Sequence, residues 1–460
     1  MTMFRGGWLG LGLLGLLLRV SALPNELTLV VPWPTEALSL DTALSTALAQ
    51  SPAILKSRQN LNEAFGISLQ QRAIYLPRLT ATGAFTAVDT GRIEGVQFAP
   101  DQPVTRFQRD QNWNAALQLT QPIFAGGKLK AAQRLAKLTE KGALAQHQVV
   151  VADTLLDVRT AYLDVLLAAE QIGTQESSVR LLEEELGDTR RRFEAGTVPR
   201  FNVLRAEVEL ANAKPRLIKA RNTHRNAKTM LATLLGYQIP AAAGEDLPFR
   251  TADTLAVGSA VVELPAALVR AQAQRSELES LRTAERAREE ETKQARGDLF
   301  PQLSLGAGYG AQNRQLGTPA PGLQDEIHGW NAGANLNWSL WDSGLTRGKI
   351  RAAEARRAKA RVETVDVARQ IERQVRTAYN SWGEAKDILA AQQKVIEQGE
   401  EAVRLATARS AAGTGTQLDV LSAQTALTEA RSTYSLAVRD HAVAWARLER
   451  AMGDGVVRQW

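Results

Sequence analysis

From Leu117 to Lys130 the chain reads LQLTQPIFAGGKLK. Apolar and polar positions alternate, the alternation stops at Gly126-Gly127, and a long run with helical spacing begins. From Asn335 to Arg347, NLNWSLWDSGLTR has the same form. Four segments carry the period of two that marks a half-buried strand. Leu79, Ala81, Gly83 and Phe85 share one face in the first; Trp113, Ala115, Leu117 and Leu119 share it in the second. The third places Leu303, Leu305, Ala307 and Tyr309 together, and the fourth Trp330, Ala332, Ala334, Leu336, Trp338 and Leu340. The opposite faces are Thr, Asn, Gln, Ser and Gly, without the Lys and Glu of a soluble sheet. Trp330 and Trp338 lie eight positions apart, roughly 26 Å along a strand and close to the ~25 Å apolar band of an outer-membrane barrel. With Trp113 and Tyr309 they are candidates for an aromatic girdle.

Each strand pair is followed by an unusually long helical run, Lys128 to Ala195 and Leu345 to Ala412, of 68 positions each. At 1.5 Å per residue each would be about 100 Å long. In the second, Ile371, Val375, Ala378, Trp382, Ala385 and Leu389 step by four and three, the spacing of a coiled-coil seam. Both runs end at a glycine, Gly196 or Gly413, suited to close a helix in the left-handed conformation. Returning helices follow from Asn202 to Gly236 and over 417–452.

The chain is a tandem duplication. VRTAY occurs at Val158 and again at Val375, an offset of 217 that also relates Gly127 to Gly344, Gly196 to Gly413 and Gly236 to Gly453. Upstream the offset is 224, relating Ala43-Leu44 to Ala267-Leu268 and Pro77 to Pro301. The difference falls within Gly91 to Asp110, which with Gln312 to His328 is expected to form loops at one end of the strands. The first unit therefore spans 39–236, with strands about 78–90 and 111–124. The second spans 266–453, with strands about 301–311 and 329–341. Helices about Ser39 to Tyr75 and Ala266 to Leu299 open the units, and 237–265 links them. The half-length helices Asn202–Gly236 and Ala266–Leu299 together match one long helix, which predicts half-helices stacked end to end beside each full one and the linker as a belt at mid-height. The fold class is mainly α with a β-barrel.

Four strands cannot close a barrel, and an open edge in lipid leaves backbone groups unpaired at several kcal/mol each. Oligomerisation follows, and two, three or four copies would satisfy closure. At the N-terminus, Arg5 precedes an apolar core from Trp8 to Leu18, and Val20-Ser21-Ala22 suits cleavage. This reads as a secretory signal peptide over 1–22, ahead of an extended segment over 23–38. A tail over 454–460 ends in Trp460, which follows a helix rather than the strand of a barrel-assembly signal. There is no cysteine, hence no disulfide, thiolate metal site or lipid-bearing N-terminal cysteine. The formal charge of +6 is mixed along helices and points to solvated surfaces rather than nucleic acid. His147, His224, His328 and His441 form no metal or triad spacing, and GAGYGA at Gly306 lacks the GK[ST] of a phosphate loop. No enzyme and no cofactor are expected.

The strand-ending motifs TQPIFAGG and NWSLWDSG, the tips FEAGTVPRFNVLRAE and AAGTGTQLDVLSAQ, and the paired VRTAY helices resemble the TolC-type outer membrane factor family. The resemblance implies a homotrimer: a twelve-stranded barrel in outer-membrane lipid above a helical tunnel crossing the periplasm. It implies the exit duct of a tripartite efflux pump or type I secretion system, working with a periplasmic adaptor and an inner-membrane transporter. It places Gly196, Thr197, Val203 and Leu204, with Gly413, Thr414, Val420 and Leu421, at the tips that meet the adaptor. Asp419 has a local reading as the third helical position of a capping box begun by Thr416, and a functional one as a ring of three carboxylates gating the mouth. Some family members carry a second acid where this chain has Ser422, and polar links of the mouth meet Ser410 and Gly415. The rival reading is a trimeric coiled-coil periplasmic or surface protein, adhesin-like, without a transport role.

Overall fold

A computed structural model describes residues 33, 36–101, 104–106, 108–239, 244, 246–258, 261–313 and 326–453. The expected signal peptide, most of the segment 23–38 and the tail with Trp460 lie outside the described residues.

In chain order the elements are α1 (Leu40–Gln50), α2 (Pro52–Ala73), β1 (Arg78–Ala87), β2 (Gly95–Val96), β3 (Thr105–Arg106), β4 (Gln111–Ala125), α3 (Lys128–Glu194) and α4 (Arg200–Leu235). The second unit repeats them as α5 (Leu264–Gln274), α6 (Ser276–Arg296), β5 (Gln302–Asn313), β6 (Glu326–Asn337), α7 (Leu345–Ala411) and α8 (Gln417–Met452). The small β2–β3 hairpin has no counterpart in the sequence reading. It sits where the two units differ in length.

Both opening helices are broken, where the sequence suggested continuous ones. Pro52 opens α2, and the residue before a proline is pushed out of the helical region; Ser51 sits at φ −56°, ψ 129°. Arg275, the equivalent residue at an offset of 224, is extended at φ −67°, ψ 116° with no proline after it. Its cause is tertiary. The Arg275 side chain is buried and donates to the carbonyls of Arg450 and Ala451 and to Gln374 Oε1.

These breaks receive the ends of the returning helices. Gly236 closes α4 in the left-handed region, and a Cβ there would stand 2.5 Å from Gln50 O. Gly453 closes α8 the same way against Gln274 and Arg275. Each returning helix thus stacks on the broken opening helix of its own unit, not on that of the other unit as the length match suggested.

The main core lies at the middle of the long helices. Val158, Ala161, Tyr162 and Val165 of α3 pack with Leu231 and Leu235 of α4, Ala43 and Ala47 of α1, and Leu247 and Phe249 of the linker. A fully buried leucine contributes about 1.5–3 kcal/mol relative to exposure. The linker is pinned there by polar contacts. Lys228 Nζ donates to Asp246 Oδ1 (2.9 Å) and Leu247 O (2.7 Å), and Tyr162 Oη bonds Leu38 O and Asp253 Oδ2. Burial first, then the Asp253 carboxylate, raises the Tyr162 pKa, so the hydroxyl stays a donor. The second unit builds the matching core from Ile371, Val375 and Trp382 of α7 with Leu448 and Met452 of α8.

Candidate functional site: the sheet, the strand-to-helix switches and the helix tips

The four long strands form one antiparallel sheet in the order β1-β4-β5-β6, so β1 and β6 are its two edges. Register pairs Leu79 with Leu119, Phe85 with Trp113, Leu117 with Tyr309 and Tyr309 with Trp330. Over the span of these pairs one face is therefore apolar; His328 and Glu326 follow on it at the loop end. It is also bare: Leu79 and Phe85 are each 67% exposed and Trp330 is 80% exposed. The other face carries Thr80, Thr82, Asn114, Gln118, Ser304 and Asn331, with Arg78 its one charge, at the helix end of β1. A sheet with an exposed apolar face and a polar opposite face charged only at its helix end is built for lipid outside and a wet interior.

The candidate aromatics group by height. Trp113, Tyr309 and Trp330 lie towards the loop end with Phe85, and the His328 and Tyr309 rings are 6.5 Å apart. Trp338 lies at the helix end, where its Nε1 donates to Leu299 O (3.2 Å). The sequence expected the fourth strand to reach 341. It ends at Asn337, because in this chain β5 has no residue left to pair beyond Gln302. In β4 the equivalent residues, Gln121 to Ala125, are laddered by β5. Trp341, 86% exposed, is a further aromatic at this end that the period-two pattern did not single out.

Each switch from strand to helix uses two consecutive left-handed residues. Gly126 and Gly127 sit at φ 58° and 87°; Ser343 and Gly344 at φ 54° and 90°. A Cβ on Gly126 would meet Gly297 O at 2.5 Å and Phe300 Cβ at 2.7 Å, so this position needs glycine for space as well as for conformation. Below the first switch, Asp298 bridges Lys128 at the start of α3 and Lys349 in α7. Partial burial raises its pKa, but the two ammonium groups outweigh that and hold it below the usual carboxylate range. At the second, Asp342 accepts from the N–H groups of Gly344 (3.0 Å) and Thr346 (2.8 Å), capping α7.

At the far ends of α3 and α7 the two tips close alike. Gly196 and Gly413 both sit at φ 74°. Thr197 N donates to Arg192 O (2.9 Å) and Thr414 N to Arg409 O (3.0 Å), the six-to-one bond of a Schellman end. They reopen differently. Thr416 Oγ1 accepts from Asp419 N (3.2 Å), and Asp419 Oδ2 accepts from Thr416 N (2.9 Å), a full capping box. The Thr416 N–H, then the Thr416 hydroxyl, both donating to Asp419 Oδ2, with Arg409 nearby, hold the exposed Asp419 carboxylate below its ordinary pKa. The equivalent of Thr416 in the first unit is Pro199, which makes no side-chain cap.

The tip residues also divide. Val420 and Leu421 are buried, whereas Val203 is half-buried and Leu204 exposed. Leu421 packs with Leu182 and Leu186 of α3 and with Ala206 and Leu210 of α4. Gln417, which the sequence reading did not flag, donates to Glu185 Oε1 (2.8 Å) and to Thr189 Oγ1 of α3. Only its place one residue after the capping threonine could have drawn notice.

The four histidines stand on separate elements: His147 faces Ser57, His224 lies by Lys228 and Asp246, His328 is on the sheet, and His441 is buried in α8. Among the described residues no helix is long and apolar enough to cross a membrane.

Duplicated long helices carrying a four-stranded sheet with a bare apolar face define the outer-membrane channel class of fold. The model of the outer membrane efflux protein family matches residues 43–237 and 267–454, and the chain belongs to that family. The chain is 27% identical over 370 residues to the alkaline protease secretion protein AprF of Pseudomonas aeruginosa, covering 75% of this chain and 72% of that protein. It is 23% identical over 436 residues to the outer membrane protein TolC of Escherichia coli, covering 91% and 83%. The pyoverdine export outer membrane protein OpmQ of Pseudomonas aeruginosa is 26% identical over 425 residues, covering 90% and 83%. Among solved structures, the outer-membrane channel OprN has a TM-score of 0.72 at 20% identity, covering 90% of each chain. VceC of Vibrio cholerae has a TM-score of 0.72 at 19% identity, covering 90% of this chain and 96% of that one.

Proposed function

We propose that this protein is the outer-membrane exit duct of a tripartite export machine, passing substrate from a periplasmic adaptor and an inner-membrane transporter to the exterior. The observation that carries this is the sheet: an apolar face left bare, a polar face charged only at its helix end by Arg78, and two edges without partners among the described residues. Three copies would join β6 to β1 in a ring of twelve strands, with the long helices continuing as a tunnel into the periplasm. Trp113, Tyr309 and Trp330 then form the outer aromatic girdle and Trp338 the inner one. The tips, Gly196 to Leu204 and Gly413 to Leu421, are the ends that meet the adaptor, and Asp419 is the chief charge at the mouth. AprF is named for protease secretion and OpmQ for pyoverdine export; the same duct serves either duty. The leader over 1–22 would direct the chain to the periplasm.

The test is purification from outer membranes in detergent. The expected result is a trimer that conducts ions in planar bilayers. A monodisperse species released without detergent, and silent in bilayers, would replace the duct with the adhesin-like coiled-coil reading.

A further inference from the structure

The two units match residue by residue, so the packing between them can be transferred to the surface that the chain leaves open. α3 and α7 are both 67 residues long, yet 15 positions of α3 are buried against seven of α7. The difference marks a side. α3 is covered by α2 and α4 of its own unit and again by α6 and α8 of the other; α7 lacks the second cover. Ala145 of α3 is 3% exposed and its equivalent Val362 is 68% exposed. On the partner side, Ser435 of α8 is 7% exposed and its equivalent Ile218 of α4 is 68% exposed. Apolar residues thus line both open sides, at positions whose equivalents are covered within the chain.

We propose that the open side of α7 receives α2 and α4 of a second copy of this chain, in the register by which α3 receives α6 and α8, and that this joint keeps none of the ion pairs of that internal joint and is the weaker one at the tips. It rests on the trimeric duct reading. The joint inside the chain is charged along its length. Lys141 pairs with Glu279 (2.5 Å), Asp164 with Arg439 (2.5 Å) and Asp153 with Arg450 (2.7 Å). Transferred by the offsets of 217 and 224, those pairs become Ala358 with Leu55, Ser381 with Asn222, and Gln370 with Thr233. None can form a salt bridge. At the tip, Gln417 bonds Glu185 and Thr189, and Leu421 lies among Leu182 and Leu186. The transferred set is Arg200 facing Ala402 and Ala406, and Leu204 facing Gly399 and Val403. Both hydrogen bonds are gone, and two leucines have shrunk to a glycine and a valine. Six hairpins around the mouth would therefore be joined firmly within copies and loosely between them. The mouth parts between copies.

Two measurements test this on the full-length protein in membranes. The first is oxidation of the L204C/V403C variant, followed by denaturing gels without reductant. The register predicts cross-linked dimers and trimers. The second is single-channel conductance of Ala402→Glu, which sets a carboxylate opposite the neighbour's Arg200. One exposed ion pair biases the closed mouth by up to about fivefold per joint, compounded over three joints. Conductance should fall, and the A402E/R200E double variant should restore it. Trimers that cross-link only through other pairs, or an A402E phenotype that R200E leaves unchanged, would overturn the proposed joint while leaving the duct intact. Absence of any trimer would sink the duct reading itself.

Discussion

The barrel can be tested at the level of single residue pairs, because the duplication also sets a strand register. β4 is equivalent to β6 at an offset of 217 and β1 to β5 at 224. Within the chain Leu117 pairs with Tyr309 and Ala115 with Ala311. Transferred, Ala334 of one copy lies opposite Phe85 of the next, and Ala332 opposite Ala87. The perturbation is a cysteine at each of Phe85 and Ala334. The chain has no cysteine of its own, so every disulfide formed belongs to the test.

The magnitudes separate the outcomes. Directly opposed Cβ atoms in an antiparallel pair stand about 4.5–5.5 Å apart, and diagonal neighbours about 7–8 Å. Disulfides need about 3.5–4.5 Å between Cβ atoms, so only the opposed pair bridges with small adjustment. Within one chain β1 and β6 are separated by β4 and β5, about 14 Å at 4.7–4.9 Å per step, which excludes an internal bridge. The drive for the pairing is large. The ten residues of β1 leave roughly ten backbone groups facing lipid if unpaired, at several kcal/mol each. The assay is copper-catalysed oxidation in membranes and a gel without reductant: F85C/A334C should give dimers and trimers, and F85C/N335C should not. A ladder strongest for the N335C pair would mean a one-residue slip, which turns every side chain to the other face, and the transfer of register would be wrong.

Asp419→Asn should reduce cation preference in bilayers while leaving trimer yield intact, and that difference should vanish as pH falls through the lowered Asp419 pKa; unchanged selectivity at neutral pH would leave Asp419 as a cap alone. Thr416→Ala, which removes the cap itself, should cost about 1 kcal/mol in thermal unfolding. Gly126→Ser should prevent stable assembly, whereas Ser343→Gly should be neutral or stabilising, since an L-residue costs roughly 1–2 kcal/mol in the left-handed region; G126S that melts like the parent would refute the steric account. A cysteine at Gly95, in the β2–β3 hairpin, should react with impermeant thiol reagents on intact cells, and labelling only after outer-membrane rupture would invert the orientation.

What could be read from the sequence was whatever local chemistry decides. Alternation fixed the two faces of the sheet, Gly127 and Gly344 marked the switches, and Thr416 three residues before Asp419 announced its capping box. What could not be read is decided by partners distant in sequence. The break at Ser51 is announced by Pro52, but the equivalent break at Arg275 follows from a guanidinium buried against the end of α8, about 175 residues away. The matched lengths of half-helices suggested stacking between units. The left-handed ends at Gly236 and Gly453 show instead that each unit completes itself.

The same reasoning accounts for the one place where the two switches differ. Gly126 lies against Gly297 and Phe300, the entry to β5, and has no room for a side chain. Ser343 stands at the equivalent position with nearly the same φ. Its counterparts of Gly297 and Phe300 are Ala73 and Leu76, at the entry to β1, and in a closed ring these belong to the neighbouring copy. If the joint between copies repeated the internal one without change, the Ser343 Cβ would collide with the neighbour's Ala73 carbonyl as a Cβ on Gly126 would with Gly297. A serine is tolerable there only if the neighbour stands back by several tenths of an ångström, since Cβ contacts under 3.0 Å do not occur. The looser joint inferred for the tips from Ala402 and Gly399 thus has an independent mark at the opposite end of the same helix, where strand gives way to helix.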